Sequence, residues 1–188
     1  MHTPFDNAQV LVVATSLNAG SRSAVLAREA YGQLRAQGIA AELVDLRELD
    51  LPFATGGGEH DSHPGVVKVR EAFKRATHIL MAVPIYNGDV NSAARNLANL
   101  GCKFYRKTVG FLCASGGEKS FMAIYAFANS LMWEFSVWIA PDYVFATGSD
   151  FAGDTVSNPD LRARIGKLNE QVLTRGGVVH SNPQPAAA

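Results

Sequence analysis

Residues Val10–Ala14 form an unbroken apolar run, VLVVA. A run without polar alternation predicts a strand that is buried on both faces. Such strands are typical of parallel sheets with helices above and below them. A helical pattern follows this run, and its apolar face comprises Leu26, Ala27, Ala30, Tyr31 and Leu34.

The alternation of strand-like and helical segments continues along the chain. Four further strand-like runs follow, separated by helical stretches: Ala41–Leu46, Ile79–Val83, Val109–Ala114 and Trp138–Phe145. Strands that alternate with helices are typical of parallel sheets, because each helix carries the chain back to the start of the next strand. The sequence therefore predicts an α/β fold with a doubly wound, five-stranded parallel sheet.

Length and composition predict a single domain over residues 1–188, because a chain of 188 residues that is 47% hydrophobic can bury a substantial core. Residues 1–8 are expected to form an N-terminal arm. The last helix is marked by Asn158 as its N-cap, Pro159 at its first position and Gly176 after its end. Residues 178–188 are then expected to form a flexible tail.

The charges of the chain are balanced, with 17 basic and 17 acidic residues and a formal net charge of zero. Since no block of like charge is present, the sequence favours a small-molecule partner over a nucleic acid or a membrane. No apolar run approaches the roughly 20 residues of a membrane span, and the N-terminus lacks the pattern of a signal peptide. We therefore expect a cytoplasmic protein.

The cysteines and histidines predict neither a disulfide framework nor a metal site. Cys102 and Cys113 match no redox or zinc-binding spacing, so they are expected to be buried thiols. His60 and His63 lie three residues apart in a glycine-rich loop, and no third ligand accompanies them. These histidines are expected to be solvated.

The first strand ends in the turn Thr15–Ser23, TSLNAGSRS, in which five residues are Ser, Thr or Asn. Between a strand and a helix N-terminus, such side chains and free backbone N–H groups can donate hydrogen bonds to a phosphate. The alternative is helix capping, because the same residue types are the preferred N-caps. One cap needs only one such residue, so the excess favours a phosphate site.

Two further loops follow the third and fourth strands. Pro84–Gly88, PIYNG, combines a fixed φ, an aromatic ring and an Asn-Gly turn, and Ser115–Gly117, SGG, lacks two Cβ atoms. In a doubly wound sheet, ligands bind at the carboxyl ends of the strands where the strand order reverses. We expect these loops to face a flat ligand together, although each one alone is also what an ordinary strand end requires.

In order and spacing, the three loops resemble those of the NADPH-dependent FMN reductase family, whose members carry GSLRxGSxx, PEYNGS and a Ser/Gly-Gly loop. The matching segments here are TSLNAGSRS, PIYNGD and SGGEK, and Asp45–Phe53, DLRELDLPF, resembles the second strand of the family and its following loop. The resemblance covers most of Gln9–Pro141. It implies a flavodoxin-like fold with strand order 2-1-3-4-5 and helices on both faces.

The resemblance also implies an FMN site. The phosphate would be held by Ser16, Asn18, Ser21 and Ser23, with Arg22 nearby. The isoalloxazine and ribityl chain would be lined by Pro84, Tyr86, Asn87 and Gly88, and the ring would be bordered by Ser115, Gly116 and Gly117. No catalytic side chain is implied, because the flavin carries the chemistry.

The implied activity is that of an FMN-dependent NAD(P)H oxidoreductase. Hydride would pass from NAD(P)H through bound FMN to a small acceptor, by a ping-pong mechanism; the acceptor would be a quinone, an azo compound, a metal ion or free flavin. Two alternatives stay open, a flavodoxin-like electron carrier and a flavin-less binding module of the same fold. Zero net charge favours the enzyme over the carrier, because such carriers tend to be strongly acidic.

Three residues depart from the family pattern. Asn18 stands where the family usually has Arg, so a charge-assisted phosphate donor is lost unless Arg22 substitutes for it. Ile85 replaces the Glu of PEYN. Thr15 replaces a Gly at the tight turn, which is compatible with a negative φ.

The segment Ser120–Phe135 is predicted to be a helix that is apolar nearly all round. A surface helix of such a sheet buries only one apolar stripe. We therefore expect a second copy of the chain to cover the remainder in a homodimer or homotetramer, as the resemblance also implies. The alternative is that neighbouring loops and Trp138–Phe145 cover it. The apolar side chains on two sides of this helix are Phe121, Tyr125, Ala128 and Met132, and Met122, Ala126 and Trp133.

Overall fold

The computed structural model describes residues 8–176, with side chains up to residue 174. The strands in this range are β1 Gln9–Ala14, β2 Ala40–Asp45, β3 His78–Tyr86, β4 Asp89–Val90, β5 Thr108–Ser115, β6 Trp138–Ile139, β7 Val144–Ala146, β8 Phe151–Ala152 and β9 Thr155–Val156. The helices are α1 Arg22–Ala36, α2 Pro64–Arg75, α3 Ser92–Asn99, α4 Ile124–Phe135 and α5 Pro159–Gly176.

The main sheet has the order β2-β1-β3-β5, with β6 and β7 both paired to the outer side of β5. All of these pairs are parallel, and within this sheet only the short strand β4 runs antiparallel, against the end of β3. The predicted order 2-1-3-4-5 is therefore confirmed. Because the order reverses between β1 and β3, their carboxyl ends frame a crevice.

The fifth strand is not continuous, contrary to the prediction of one strand over Trp138–Phe145. It is divided into β6, which pairs with Thr108 and Val109, and β7, which pairs with Leu112–Ala114. Pro141 lies between the two pieces and has no N–H to donate to the ladder. The chain leaves the sheet at that point and returns to it at β7.

The core lies on both faces of the sheet, because successive residues of each buried strand point to opposite sides. On one face, Val12 and Leu80 join a cluster with the apolar sides of α1 and α5. On the other face, Val13 and Met81 join a cluster with residues of α2, α3 and α4. The predicted helices on both faces are therefore confirmed.

Two helix boundaries differ from the predictions, and one agrees with its prediction. Helix α4 begins at Ile124 rather than Ser120, because residues 118–120 form a short 3-10 turn before it. Helix α5 begins as predicted: Asn158 Oδ1 accepts a hydrogen bond from the N–H of Asp160 at 2.9 Å. Helix α5 includes Gly176, which had been expected to follow it. Most of the predicted arm and the whole predicted tail lie outside the described residues.

The cysteines are buried and unpaired, as expected. His63 is partly buried, and its Nδ1 accepts a hydrogen bond from the N–H of Gly65 at 3.2 Å, so it caps α2 rather than being solvated. No group of three or more potential metal ligands is found within residues 8–176. None of the helices described is long and apolar enough to cross a membrane.

Candidate functional site

A cavity of about 700 Å³ opens at the carboxyl ends of β1, β3 and β5. Its walls come from the three loops that the sequence singled out. Every predicted site residue lines it except Gly88 and Gly117. Three residues that were not predicted, Gly20, Ile85 and Ala114, also line it. The strand order thus brings together segments about a hundred residues apart.

The hydroxyl groups of the first loop are only partly used by the loop itself. Ser21 is the N-cap of α1, because its Oγ accepts a hydrogen bond from the N–H of Ala24 at 3.1 Å. The hydroxyls of Ser21 and Ser23 lie 2.9 Å apart, so one of their two hydrogens joins them and the other is left to donate. Ser16 Oγ accepts from the N–H of Asn18 at 3.2 Å, which leaves its own hydrogen available. Helix capping therefore accounts for Ser21 alone, and hydroxyl hydrogens of this loop remain available to donate to a ligand.

The electrostatic surroundings of this loop favour an anion. The first turn of α1 holds no acidic residue, and the N–H groups before Ala24 have no partner within the helix. Arg22 is exposed and forms no ion pair with any described residue. The guanidinium of Arg22 lies beside Gly148, because a Cβ atom added to this glycine would be 3.2 Å from Arg22 Nη1. Donors and positive charge are therefore present for a phosphate, and the loop fits one.

Asn18 shapes the loop, because its Oδ1 accepts a hydrogen bond from the N–H of Gly20 at 3.0 Å. The same loop is held from outside by Arg47, which sequence reasoning missed. Arg47 Nη1 donates to the carbonyl oxygen of Ala19 at 2.8 Å, and Arg47 Nε donates to the carboxylate of Asp45 at 2.9 Å. Burial tends to raise the pKa of Asp45, but the hydrogen bonds from Arg47 outweigh it and hold this pKa below its usual value.

The second loop is a tight hairpin between β3 and β4. Asn87 and Gly88 have φ values of 52° and 79°, and Tyr86 pairs with Asp89 across the turn. Positive φ at both central residues is the type I′ pattern that Asn-Gly favours. Tyr86 lines the cavity with half of its surface exposed, whereas Gly88 serves the turn itself. Ile85, at the position of the family's Glu, is buried in the core.

The third loop begins at Ser115, whose Oγ accepts a hydrogen bond from the N–H of Gly117 at 3.3 Å. A Cβ added at Gly116 or Gly117 would meet no heavy atom within 4 Å. The space beside this backbone is therefore open. A flat ring could approach the peptide planes here without meeting a side chain.

A buried pair beneath the cavity was also missed. Thr15 is fully buried, and its φ is not positive, so the added Cβ is accommodated. Its carbonyl oxygen accepts a hydrogen bond from Asn91 Nδ2 at 2.7 Å, and its hydroxyl donates to Asn91 Oδ1 at 2.9 Å. Asn91 stands at the N-cap of α3 but makes no capping bond there. An Asn before a helix is typical of an ordinary N-cap, so no local signal in the sequence marks this contact.

Comparisons with known proteins agree with this geometry. A family model described as NADPH-dependent FMN reductase matches residues 8–152. A curated NAD(P)H-dependent FAD/FMN reductase of Geobacillus thermodenitrificans (strain NG80-2) is 24% identical over 149 residues, which cover 75% of this chain and 80% of the relative.

Solved structures show the same fold. An NADH:FMN oxidoreductase in its apo form matches with a TM-score of 0.72 at 17% identity, covering 94% of this chain and 92% of that one. An NAD(P)H:(acceptor) oxidoreductase from Paracoccus denitrificans matches with a TM-score of 0.71 at 16% identity, covering 88% of this chain and 97% of that one. With most of the chain matched by the family model, we conclude that it belongs to the NADPH-dependent FMN reductase family and is an oxidoreductase that uses FMN and NAD(P)H.

Proposed function

We propose that the 700 Å³ cavity holds FMN and that hydride passes there from NAD(P)H to a small acceptor: a quinone, an azo compound, a metal ion or free flavin. The arrangement of the cavity is the observation that carries this proposal. The β1 side offers hydroxyl groups, a helix N-terminus and Arg22, which suit a phosphate. The β3 and β5 side offers Tyr86 and open glycine backbone, which suit a flat ring.

Each part of the cavity has a proposed task. Ser16, Ser23 and Arg22 bind the phosphate, while Asn18 and Ser21 keep the loop in shape around it. Tyr86 orients the ring, and the hairpin at Asn87 and Gly88 holds Tyr86 in place. Bound FMN supplies a ring that accepts a hydride and passes it on, so no acid or base is required of the protein. The N–H of Gly116 stabilises negative charge at the ring edge, since the N–H of Gly117 donates to Ser115 Oγ.

The proposed mechanism is ping-pong, with NAD(P)H and the acceptor entering the same opening in turn. The space beside Gly116 and Gly117 is clear, and half of the Tyr86 surface is exposed next to it. These residues leave one face of a bound ring accessible. Two substrates that share one face must alternate, which is the condition for ping-pong kinetics.

Anaerobic mixing of FMN-loaded protein with NADPH tests this function. We expect the flavin absorbance at about 450 nm to bleach within the enzyme's turnover time, and added quinone to restore it. A protein that binds FMN but stays yellow with both NADPH and NADH would instead be an electron carrier. A protein that takes up no FMN would be a flavin-less binding module. Either of these results overturns the proposal.

We also propose that the chain forms a homodimer or homotetramer through α4. Ile124, Phe127 and Leu131 face the sheet, yet Met122 just before the helix and Trp133 on it are 55% and 89% exposed. The described loops therefore leave an apolar face uncovered, and a symmetric contact would bury it.

Light scattering at micromolar concentration measures the mass of the assembly. We expect Trp133→Glu to reduce this mass and the control Glu134→Gln to leave it unchanged. A wild-type mass near 20.1 kDa contradicts the proposal.

The proposed location of this activity is the cytoplasm. Both cysteines are buried and unpaired, which fits a reducing compartment. Fractionation of the source cells tests the location directly, and recovery with an extracytoplasmic fraction contradicts it.

A further inference from the structure

A second cavity, of about 580 Å³, lies at the edge of the sheet between α4 and α5. No described residue lines both this cavity and the first one. Its origin is the break in the fifth strand: the chain leaves β5 after β6, turns at Pro141 and rejoins β5 at β7. Pro141, Asp142 and Tyr143, in the segment between the two short strands, line the cavity.

The walls of this edge cavity are aromatic. Phe121 and Tyr125 come from the start of α4 and the turn before it, and Tyr143 and Phe145 come from the edge of the sheet. The rings of Tyr125 and Tyr143 pack edge to face with their centroids 5.8 Å apart. Tyr143 is held in position because its hydroxyl donates to the carbonyl oxygen of Phe121 at 2.5 Å. The walls therefore form a fixed aromatic corner.

The charges at the edge cavity are not balanced. Lys167 Nζ lies 2.7 Å from Asp142, so this lysine is neutralised. Gln171 also donates to Asp142, at 2.8 Å, and fixes the pair. Arg164 interacts with Asp142 and Asp150 only at longer range: its Nη2 donates to the carbonyl oxygen of Tyr143 at 3.4 Å, and it makes no ion-pair contact within the described part of the chain. One guanidinium with unused donors is left at the cavity wall.

We propose that the edge cavity is a second binding site, and that its ligand is an aromatic monoanion, a carboxylate or a sulfonate on a ring system. Its volume lies within the range of small-molecule sites, about 300–1,000 Å³. Aromatic walls suit the rings of such a ligand, and a guanidinium is the donor that best matches a planar or branched acid group. The edge cavity lies apart from the flavin cavity, so the proposal does not depend on the proposed function.

The probe for this site is 8-anilinonaphthalene-1-sulfonate, an aromatic monoanion that fluoresces on binding. The titration uses the full chain with excess FMN present, so that the first cavity is filled. We expect saturable binding to the wild type and about tenfold weaker binding to Arg164→Gln. The neutral analogue N-phenyl-1-naphthylamine should bind both proteins alike, because it has no acid group for Arg164.

The matched control is Arg162→Gln, on the same helix. Arg162 is exposed, but it faces Glu29 on α1 at 3.8 Å and does not line the edge cavity. We expect this variant to bind the probe like the wild type. Circular dichroism confirms that both variants are folded, which is expected because both side chains are exposed. The proposal is overturned if the wild type shows no saturable binding, if Arg164→Gln binds normally, or if Arg162→Gln weakens binding equally.

Discussion

Thr15 and Asn91, 76 positions apart in the chain, join the first loop of the proposed flavin cavity to the start of α3 by two buried hydrogen bonds. The pair lies beneath the cavity, where Thr15 follows β1 and Asn91 follows the β3–β4 hairpin. Both residues are buried, so neither can exchange these bonds for bonds to water. The contact therefore fixes the proposed phosphate-binding loop relative to the hairpin that carries Tyr86.

The first prediction concerns this pair. Asn91→Ala removes both bonds and leaves the Thr15 carbonyl without its side-chain donor, so we expect the free energy of unfolding to fall by about 2–3 kcal/mol. Urea unfolding measures the change. Asn99→Ala is the control, because Asn99 is exposed at the end of the same helix, and it should change stability by less than about 0.5 kcal/mol. Equal effects of the two substitutions would contradict the role of the pair.

The second prediction concerns the hydroxyl groups that we propose bind the phosphate. The double variant Ser16→Ala, Ser23→Ala removes two donors to a charged group, worth about 3–6 kcal/mol together, so the FMN dissociation constant should rise roughly 10²- to 10⁴-fold. Fluorescence titration with FMN measures it. Ser92→Ala with Ser130→Ala is the control, since both serines are exposed and outside the cavity. Unchanged FMN affinity in the first variant would rule out this phosphate site.

The third prediction concerns the aromatic wall. Tyr86→Ala should weaken FMN binding less than the serine double variant does, but it should alter the rate at which NADPH bleaches the flavin, because ring packing governs orientation more than anchorage. Stopped-flow absorbance measures that rate. Tyr105→Ala is the control, because Tyr105 is exposed before β5, at the opposite end of the sheet. A wild-type reduction rate in Tyr86→Ala would show that this ring does not touch the flavin.

The fourth prediction compares two glycines. An added Cβ at Gly110 in β5 would lie 2.7 Å from Val172 and 2.9 Å from Leu80, so Gly110→Ala should destabilise the protein by about 1–3 kcal/mol. At Gly32, inside α1, the same Cβ would meet no atom within 4 Å. Gly32→Ala should therefore stabilise the protein by about 0.5–1 kcal/mol through helix propensity. Thermal unfolding with opposite shifts confirms both, and shifts of the same sign contradict one of them.

The fifth prediction concerns pH. Burial raises the pKa of Cys102 to about 12 and raises that of Cys113 as well, from an ordinary value of 9.0. Below pH 9 both thiols stay protonated in either state, whereas above it only the unfolded chain loses these protons. Stability should therefore fall as pH rises above 9, by about 1.4 kcal/mol per pH unit for each thiol.

Urea unfolding of the wild type and of Cys102→Ala with Cys113→Ala at pH 8 and pH 10.5 measures this pH effect. The double variant will be less stable at pH 8, because it loses buried volume. Its stability should nevertheless decline less with pH than that of the wild type. Parallel declines in the two proteins would show that the thiols do not contribute.

The sequence by itself determined those features that depend on neighbouring residues. Strand burial could be read from Val10–Ala14, because an apolar run without alternation has no face for water. The Asn87-Gly88 turn could be read because only a few residue types accept positive φ. The sheet order and most of the residues that line the proposed flavin cavity were implied by the resemblance of the three loops to those of the family.

Only the tertiary structure decided which distant residues meet. Arg47 reaches the carbonyl oxygen of Ala19, and Asn91 reaches Thr15, because parallel pairing sets β1 beside both β2 and β3. Neither contact has a sequence period or a spacing of its own. The edge cavity likewise exists because Pro141 interrupts a strand that reads as continuous and α4 and α5 happen to flank the gap. Side-chain contacts of this kind follow from register and packing across the sheet, which no local pattern in the chain encodes.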